Sequence, residues 1–283
     1  MEATAMKRRR FLRVSAVGAA LAAGAGFYTW RVEPHWLEIV KKRLPIVNLP
    51  DRLVGSRLVQ MSDLHIGPRV EDAYLIRSFQ SVTDLSPDII VYTGDFTSYE
   101  GGVLDHAKRV LTHLPLGRLG TFGILGNHDY GPGWSDPRLA ARIAGLAGGA
   151  GVHVLRNEVA EVAGLQVVGL DDWWAGHFDP RAAFAAVQPD RAAVVLSHNP
   201  DTADLEGWGS YSGWILAGHT HGGQCKPPFL PPPLLPVKNR RYTAGEFELS
   251  VGRRMYISRG VGHLLMVRFN ARLEISVFHL EQG

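Results

Sequence analysis

At 283 residues with 46% apolar content, the chain can bury a sizeable core, as one large domain or two small ones. A pI near 9.1 would suit a polyanion binder, but Lys7, Arg8, Arg9, Arg10 and Arg13 against Glu2 give the first thirty residues +4 of a total of +3. The remainder therefore sums to −1, which removes the electrostatic reason to expect nucleic acid as a partner, and a single cysteine, Cys225, excludes an intrachain disulfide.

The N-terminus reads as a targeting segment. Arg8-Arg9-Arg10-Phe11-Leu12-Arg13 leads into a weakly apolar run from Val14 to Tyr28 that is rich in Ala and Gly, the pattern of a twin-arginine export signal. A plain membrane anchor with a basic flank is the alternative, and either one sends the body outward while the basic cluster stays cytoplasmic. Residues 1–30 are set apart on this basis as a signal or anchor. Residues 31–51 read as a connector broken by Pro34, Pro45 and Pro50, with a first strand at Trp36–Val40, and 52–283 as the main domain.

The main domain opens with a strand at Arg57–Met61 that ends in Ser62-Asp63-Leu64-His65. Helical spacing of Ala73, Leu75, Ile76, Phe79 and Val82 predicts a helix over 71–83, and Ile89–Tyr92 then reads as a strand running into Thr93-Gly94-Asp95. Strand, helix and strand make a βαβ unit. The grammar repeats: a helix over 103–114 leads to the strand before Gly126-Asn127-His128-Asp129, and another over 137–146 leads to a strand at 152–155. Val159–Val162 and Gln166–Leu170 read as a hairpin turning at Ala163-Gly164. A helix over 180–187 precedes the apolar strand 192–196, which ends at Ser197-His198, and Trp214–Ala217 ends at Gly218-His219-Thr220-His221.

Asp63, His65, Asp95, Asn127, His198, His219 and His221 thus each follow a predicted strand. In an open α/β sheet the strand ends face one crevice, so residues far apart in sequence converge there. Any one of them alone is better read as a turn residue or cap, but seven in so ordered a series point to a site. Imidazole nitrogens mixed with carboxylate and amide oxygens suit divalent transition ions.

The order Asp63-x-His65, Gly94-Asp95, Gly126-Asn127-His128-Asp129, His198, Gly218-His219-x-His221 resembles the calcineurin-like metallophosphoesterases, from about Arg57 to the C-terminus. The phrases Gln60–His65, Gly218–Gln224 and Ser258–Gly262 resemble its exported bacterial branch, in which a twin-arginine leader precedes the domain. The resemblance implies an α/β fold, a four-layer αββα sandwich of two mixed sheets flanked by helices. It implies two divalent metal ions (Mn, Fe, Zn or Ni), with Asp63, His65 and His221 on the first, Asn127, His198 and His219 on the second, and Asp95 bridging them. His128 would face the substrate as the catalytic imidazole. Asp129 would either orient that ring or cap the turn that follows.

The expected activity is two-metal hydrolysis of phosphoesters, chiefly as a phosphodiesterase outside the cytoplasm, with a lipid-linked phosphate among the candidate substrates. A UDP-diacylglucosamine-type pyrophosphatase and a non-catalytic binding scaffold of the same fold are the alternatives. Expected partners are the phosphoester substrate, the twin-arginine machinery and the membrane.

Three further features stay open in the sequence. Asp171 and Asp172 follow a strand and read either as turn acids or as support for the site, while Trp173 and Trp174 lie in the next loop and read first as packing. Lys226–Pro236, six of whose last ten residues are proline, predicts a stiff extended loop. Its Phe229, Leu230, Leu234 and Leu235 would either fold back as a satellite core or rim the mouth of the site.

Overall fold

The computed structural model describes residues 2–98, 100 and 102–283. Helix α1 (Glu2–Phe27) continues through a π-helical turn and a 3₁₀ turn into β1 (Leu37–Ile46). The stretch Arg10–His35 is long and apolar enough to cross a membrane, and none of its apolar window is buried in the domain. The backbone of Arg8 and Arg9 lies in α1, but the twin-arginine side chains lie outside what is described.

From β2 (Arg57–Met61) the chain alternates as its periodicity predicts, through α2 (Asp72–Asp84), β3 (Ile89–Thr93), α3 (Val103–Leu111), β4 (Gly120–Ile124), α4 (Pro137–Gly149) and β5 (His153–Val154). Strands β2 to β5 are parallel neighbours. Helix α4 starts where it does because the Asp136 carboxylate accepts from the N–H groups of Arg138 and Leu139 while Pro137 takes the first helical position. The hairpin of β6 (Glu158–Val162) and β7 (Leu165–Gly169) turns at Ala163 and Gly164, with φ of 47° and 84°, the left-handed pair that matches strand twist. Then come α5 (Pro180–Phe184), β8 (Ala193–Leu196), β9 (Trp214–Ala217), β10 (Gly245–Glu248), β11 (Arg254–Ile257) and β12 (Leu273–Gln282).

Two six-stranded mixed sheets result, ordered β1-β12-β2-β3-β4-β5 and β10-β11-β9-β8-β7-β6. Along β3, Ile89 and Val91 point between the sheets while Ile90 and Tyr92 point to the helices, because both faces of a covered sheet are buried. The layer between the sheets packs Leu58, Phe122 and Ile124 of the first against Val167, Val194, Leu196 and Leu216 of the second. Helices α2, α3 and α4 cover the first sheet through Leu75, Phe79, Val110 and Ile143. The second is covered by the short α5 and the turn at 200–204, through Ala183, Ala203 and Trp208.

The structure differs from the sequence reading in three places. The first strand expected at Trp36–Val40 runs on to Ile46 as β1, which pairs parallel with β12 along its whole length; Pro45 is tolerated there because β1 is an edge strand. Helix α5 stops at Phe184, short of 187, because the Gln188 backbone is taken by the side chain of Gln166, which both donates to its carbonyl and accepts from its N–H. Strands β10, β11 and β12 lie in a region that the sequence reading left unassigned beyond its motif. There β12 closes the first sheet between β1 and β2.

Candidate metal centre

The C-terminal ends of β2, β3, β4, β8 and β9 meet at one end of the sandwich, and the chain turns sharply as it leaves each of them. Asp63, His65, Asp95, His219 and His221 have positive φ, between 47° and 71°. That conformation is uncommon for residues with a side chain, and its concentration at one site marks backbone held in place by its surroundings.

The motif glycines fit the same close quarters. A Cβ at Gly126 would lie 2.2 Å from Asp95 Oδ1, and one at Gly218 would lie 1.9 Å from Ser62 Oγ and 2.5 Å from Asp63 Oδ2. The phrase Ser258–Gly262 wraps the Asp63 loop from the other side: the N–H groups of Val261 and Gly262 donate to the carbonyls of Ser62 and Asp63. Arg259 ties this phrase to β12 and β1 through Glu274 and Glu38.

Six of the seven predicted ligands form two buried triads. Asp63, His65 and His221 make one and Asp95, His198 and His219 the other, each with its ligand atoms within 4.8 Å of one another. Asp95 Oδ2 stands between them, 3.2 Å from His198 Nε2 and 3.6 Å from His65 Nε2. His65 Nε2 and His221 Nε2 are 3.0 Å apart, and His198 Nε2 is 3.2 Å from His219 Nδ1.

Two of the rings have their tautomers set by backbone carbonyls. His198 Nδ1–H donates to Thr93 O at 2.8 Å, which turns Nε2 into the site. His219 is turned the other way round: Nε2–H donates to Pro236 O at 2.9 Å and Nδ1 faces inward.

Asn127, the seventh, is fully buried, and neither atom of its amide has a hydrogen-bond partner among the described residues. A buried amide without partners is costly, and a cation at its carbonyl oxygen would satisfy it. The donor set of imidazoles, carboxylates and one orphaned amide fits a pair of divalent ions.

Burial and mutual charge shape the titration of the group. Burial raises Asp63 to about 6, although His198 opposes it. Burial would also raise Asp95, but His198, His128 and His65 around it hold it well below the usual carboxylate range. In His198 burial is overcome by Asp95, Asp63 and Asp172, and the ring is pushed up to about 10. Burial depresses His65 and His221 well below 6.5 and His219 to about 3.

His128 lies beside the triads. Its backbone N–H donates to Asp95 Oδ1 at 2.9 Å, its ring packs edge-on against His65 at 5.0 Å, and burial lowers its pKa, which favours the neutral imidazole. Asp129 caps the start of its own turn and reaches a second loop as well. Its described hydrogen bonds go to the N–H groups of Phe96, Thr97 and Gly126 and to the Thr97 hydroxyl, so it clamps the loop after β3 to the loop after β4.

Asp171 and Asp172 build the neighbouring wall. Asp171 accepts from Tyr130 Oη and from Arg156 Nε at 2.8 Å, and Asp172 accepts from Ala175 N–H to hold the loop that carries the tryptophans. Trp174 meets His219 edge-on at 4.5 Å and leans on Trp134, while Lys238 lies over Trp173. Sequence reasoning missed Arg268, a fully buried guanidinium that donates to His221 Nδ1 and to the His221 carbonyl. A lone arginine in an unpatterned loop carries no signal, and a backbone carbonyl such as that of Pro236 leaves none in any sequence. A cavity of about 520 Å³ lies at the opposite end of the second sheet, lined by Trp208, Tyr211, Trp214 and Arg254, and no candidate ligand reaches it.

Two buried triads, with Asp95 lying between them at the strand ends of a double-sheet sandwich, are the donor set of a metallophosphoesterase, and comparison with known proteins agrees. The model of the family described as calcineurin-like phosphoesterase matches residues 56–223. Phosphodiesterase YaeI of Escherichia coli (strain K12) is 32% identical over 97% of this chain and 99% of its own length. The metallophosphoesterase YkuE of Bacillus subtilis (strain 168) is 31% identical over 98% of each. UDP-2,3-diacylglucosamine pyrophosphatase LpxG of Chlamydia trachomatis serovar D is 28% identical over 90% of this chain and 93% of its own. The chain belongs to the calcineurin-like phosphoesterase family and is a metal-dependent phosphoester hydrolase.

The clamp by Asp129 can be measured apart from catalysis. Asp129→Ala strands three backbone N–H groups and should lower unfolding free energy by on the order of 3 kcal/mol in denaturant titration. An unchanged midpoint would show that the carboxylate is not what joins the two loops.

Proposed function

We propose that this chain hydrolyses phosphodiesters on the outward side of a membrane. Asp63, His65 and His221 would hold one divalent ion, Asn127, His198 and His219 a second, with Asp95 between them. The observation that carries the reading is the position of Asp95 Oδ2, within 3.6 Å of ring nitrogens from both triads. When bound, the ions supply Lewis acidity toward the phosphoryl oxygens and lower the pKa of the attacking water.

The chain's own groups do the rest. His128, fixed through its backbone N–H on Asp95 and disposed to be neutral, offers a ring N–H to a phosphoryl oxygen. Asp129 positions the loop that carries it, and Trp174 and Trp134 form an apolar wall beside His219. Four imidazoles in the donor set favour Mn, Fe, Zn or Ni over Mg.

The N-terminal basic cluster and the apolar stretch Arg10–His35 support export by the twin-arginine route, with the segment either cut or retained as an anchor. Similarity to LpxG over 90% of the chain supports a second reading, cleavage of a pyrophosphate on a lipid-linked nucleotide. A panel of soluble diesters, lipid phosphodiesters and UDP-linked lipids separates the two.

Chelation should abolish turnover, and Mn²⁺ or Fe²⁺ should restore it better than Mg²⁺. Full turnover in protein shown by elemental analysis to be metal-free would overturn the reading, and protein that never takes up metal would mark a binding scaffold. His128→Ala should keep its metal and lose roughly 10²- to 10⁴-fold in kcat; a variant emptied of metal would make His128 a ligand instead. Lys in place of both Arg8 and Arg9 should leave the protein in the cytoplasm, as fractionation reads it. Undiminished export would assign the segment to the general secretory route or to simple anchoring.

A further inference from the structure

The end of α1 is tied directly to the site end of the domain. Arg268 N–H donates to Thr29 O at 2.9 Å, Tyr28 packs edge-on against Phe269 at 6.5 Å, and Ala271 N–H donates to Glu33 Oε1 at 2.6 Å. Phe269 in turn bonds on both sides to the start of the proline segment. Its carbonyl accepts from Lys226 N–H at 2.8 Å, and its N–H donates to Gln224 O at 3.0 Å. The exit of α1, the 264–272 loop and the proline segment are therefore contiguous.

The proline segment is held firmly at its base. Leu235 is buried, Pro232 packs over Gly223 and accepts from Arg240 Nη2, and the Pro236 carbonyl orients His219. With six prolines and those anchors it cannot fold its tip onto the core, and the satellite-core expectation holds only for Leu235. Phe229 is fully exposed, Leu230 and Leu234 are largely so, and Leu265 on the adjoining loop is half-exposed.

Trp30 and Trp36 are exposed where α1 hands over to β1, with Arg31 lying over the Trp30 ring at 4.4 Å and Arg272 over Trp36 at 3.8 Å. Tryptophan and arginine together at the end of an apolar helix are the composition of a membrane–water interface. The patch is thus continuous with a segment of membrane-crossing length and lies on the side from which that segment leaves the body.

We propose that Phe229, Leu230, Leu234 and Leu265 insert into the bilayer leaflet that faces the domain, so that the strand-end site is held at the lipid surface. A bilayer is the occupant because the apolar tip, the tryptophan–arginine belt and α1 form one surface, and a chain anchored through α1 carries that surface against the membrane. The inference rests on the anchored reading of α1 and adds what the domain does at the membrane. Apolar side chains at the mouth would let the site meet an ester borne on a lipid without drawing the acyl chains through water.

The test uses the full chain in nanodiscs of phosphatidylcholine and phosphatidylglycerol. In a Cys225→Ser background, bimane is attached at Leu230→Cys, at Leu265→Cys or, as control, at Ser210→Cys beside the cavity at the far end of the second sheet. Brominated lipids should quench the label at 230 and 265 and leave the label at 210 bright; equal emission at all three positions overturns the proposal. This readout needs no turnover, so its failure is distinguishable from failure of the catalytic reading. In the same nanodiscs, Phe229→Ser, Leu230→Ser and Leu234→Ser together should reduce turnover of a lipid-borne diester roughly tenfold while sparing bis(p-nitrophenyl) phosphate. Equal loss on both substrates overturns the role of the tip.

Discussion

Two carboxylates and four imidazoles are buried together at the strand ends, and the rest of the molecule is arranged around that concentration of polar groups. Each ion taken out of water costs several kcal/mol unless it is paired with good geometry. Protonation offers a partial answer, as the opposed shifts of Asp95 and His198 show: one is held ionised and the other is driven toward imidazolium by the same close contact. It does not serve the other three rings, which burial keeps neutral at 3.0 to 3.2 Å from a neighbouring ring nitrogen. Divalent cations held by these residues would turn an unfavourable crowd of lone pairs into a coordination sphere, which is why the donor set reads as a metal centre and not as an ion-pair network.

Neither sheet owns the centre. Asp63, His65, Asp95 and Asn127 come from the first and His198, His219 and His221 from the second, and the two sets are cross-braced. His198 donates to the Thr93 carbonyl, His219 N–H reaches both oxygens of Asp63 at 3.1 Å, and Gln60 extends its amide to Thr93 Oγ1 and the Ala217 carbonyl. These polar bridges sit where the apolar layer between the sheets ends. The separation of the sheets, set by Leu58, Ile124, Leu196 and Leu216, thereby sets the separation of the ligands.

What the sequence makes legible follows from this arrangement. A ligand at a strand end is announced by the apolar run before it, so Asp63, Asp95, His198 and His219 could be placed from periodicity, and the glycines beside them by the close approach that they permit. Other parts follow from relations that a linear reading does not contain. The first strand runs on past Val40 to Ile46 because β12, more than two hundred residues later, offers it a full-length partner. Asp129 reads as part of a catalytic phrase, yet its carboxylate serves the backbone of another loop. Arg268 has no periodic context and acts entirely through carbonyls and one ring nitrogen.

Arg268 also shows how location and chemistry are joined. Its guanidinium is completely buried with no carboxylate among its hydrogen-bond partners, and burial pulls its pKa down to about 10, which still leaves it charged near neutral pH. It is held by the carbonyls of His221, Arg259, Gly262 and Ala271, and it reaches His221 Nδ1 at 3.1 Å. The backbone N–H of the same residue bonds to Thr29, two residues past the end of α1. A tilt of α1 against the domain therefore pulls on the residue that seats His221. The Pro236 carbonyl makes a matching link on the other side, between the exposed proline tip and His219. With one ring of each triad seated by a segment on this face, the exposed proline tip, the exit of α1 and the geometry of the candidate metal centre are joined by the same few hydrogen bonds.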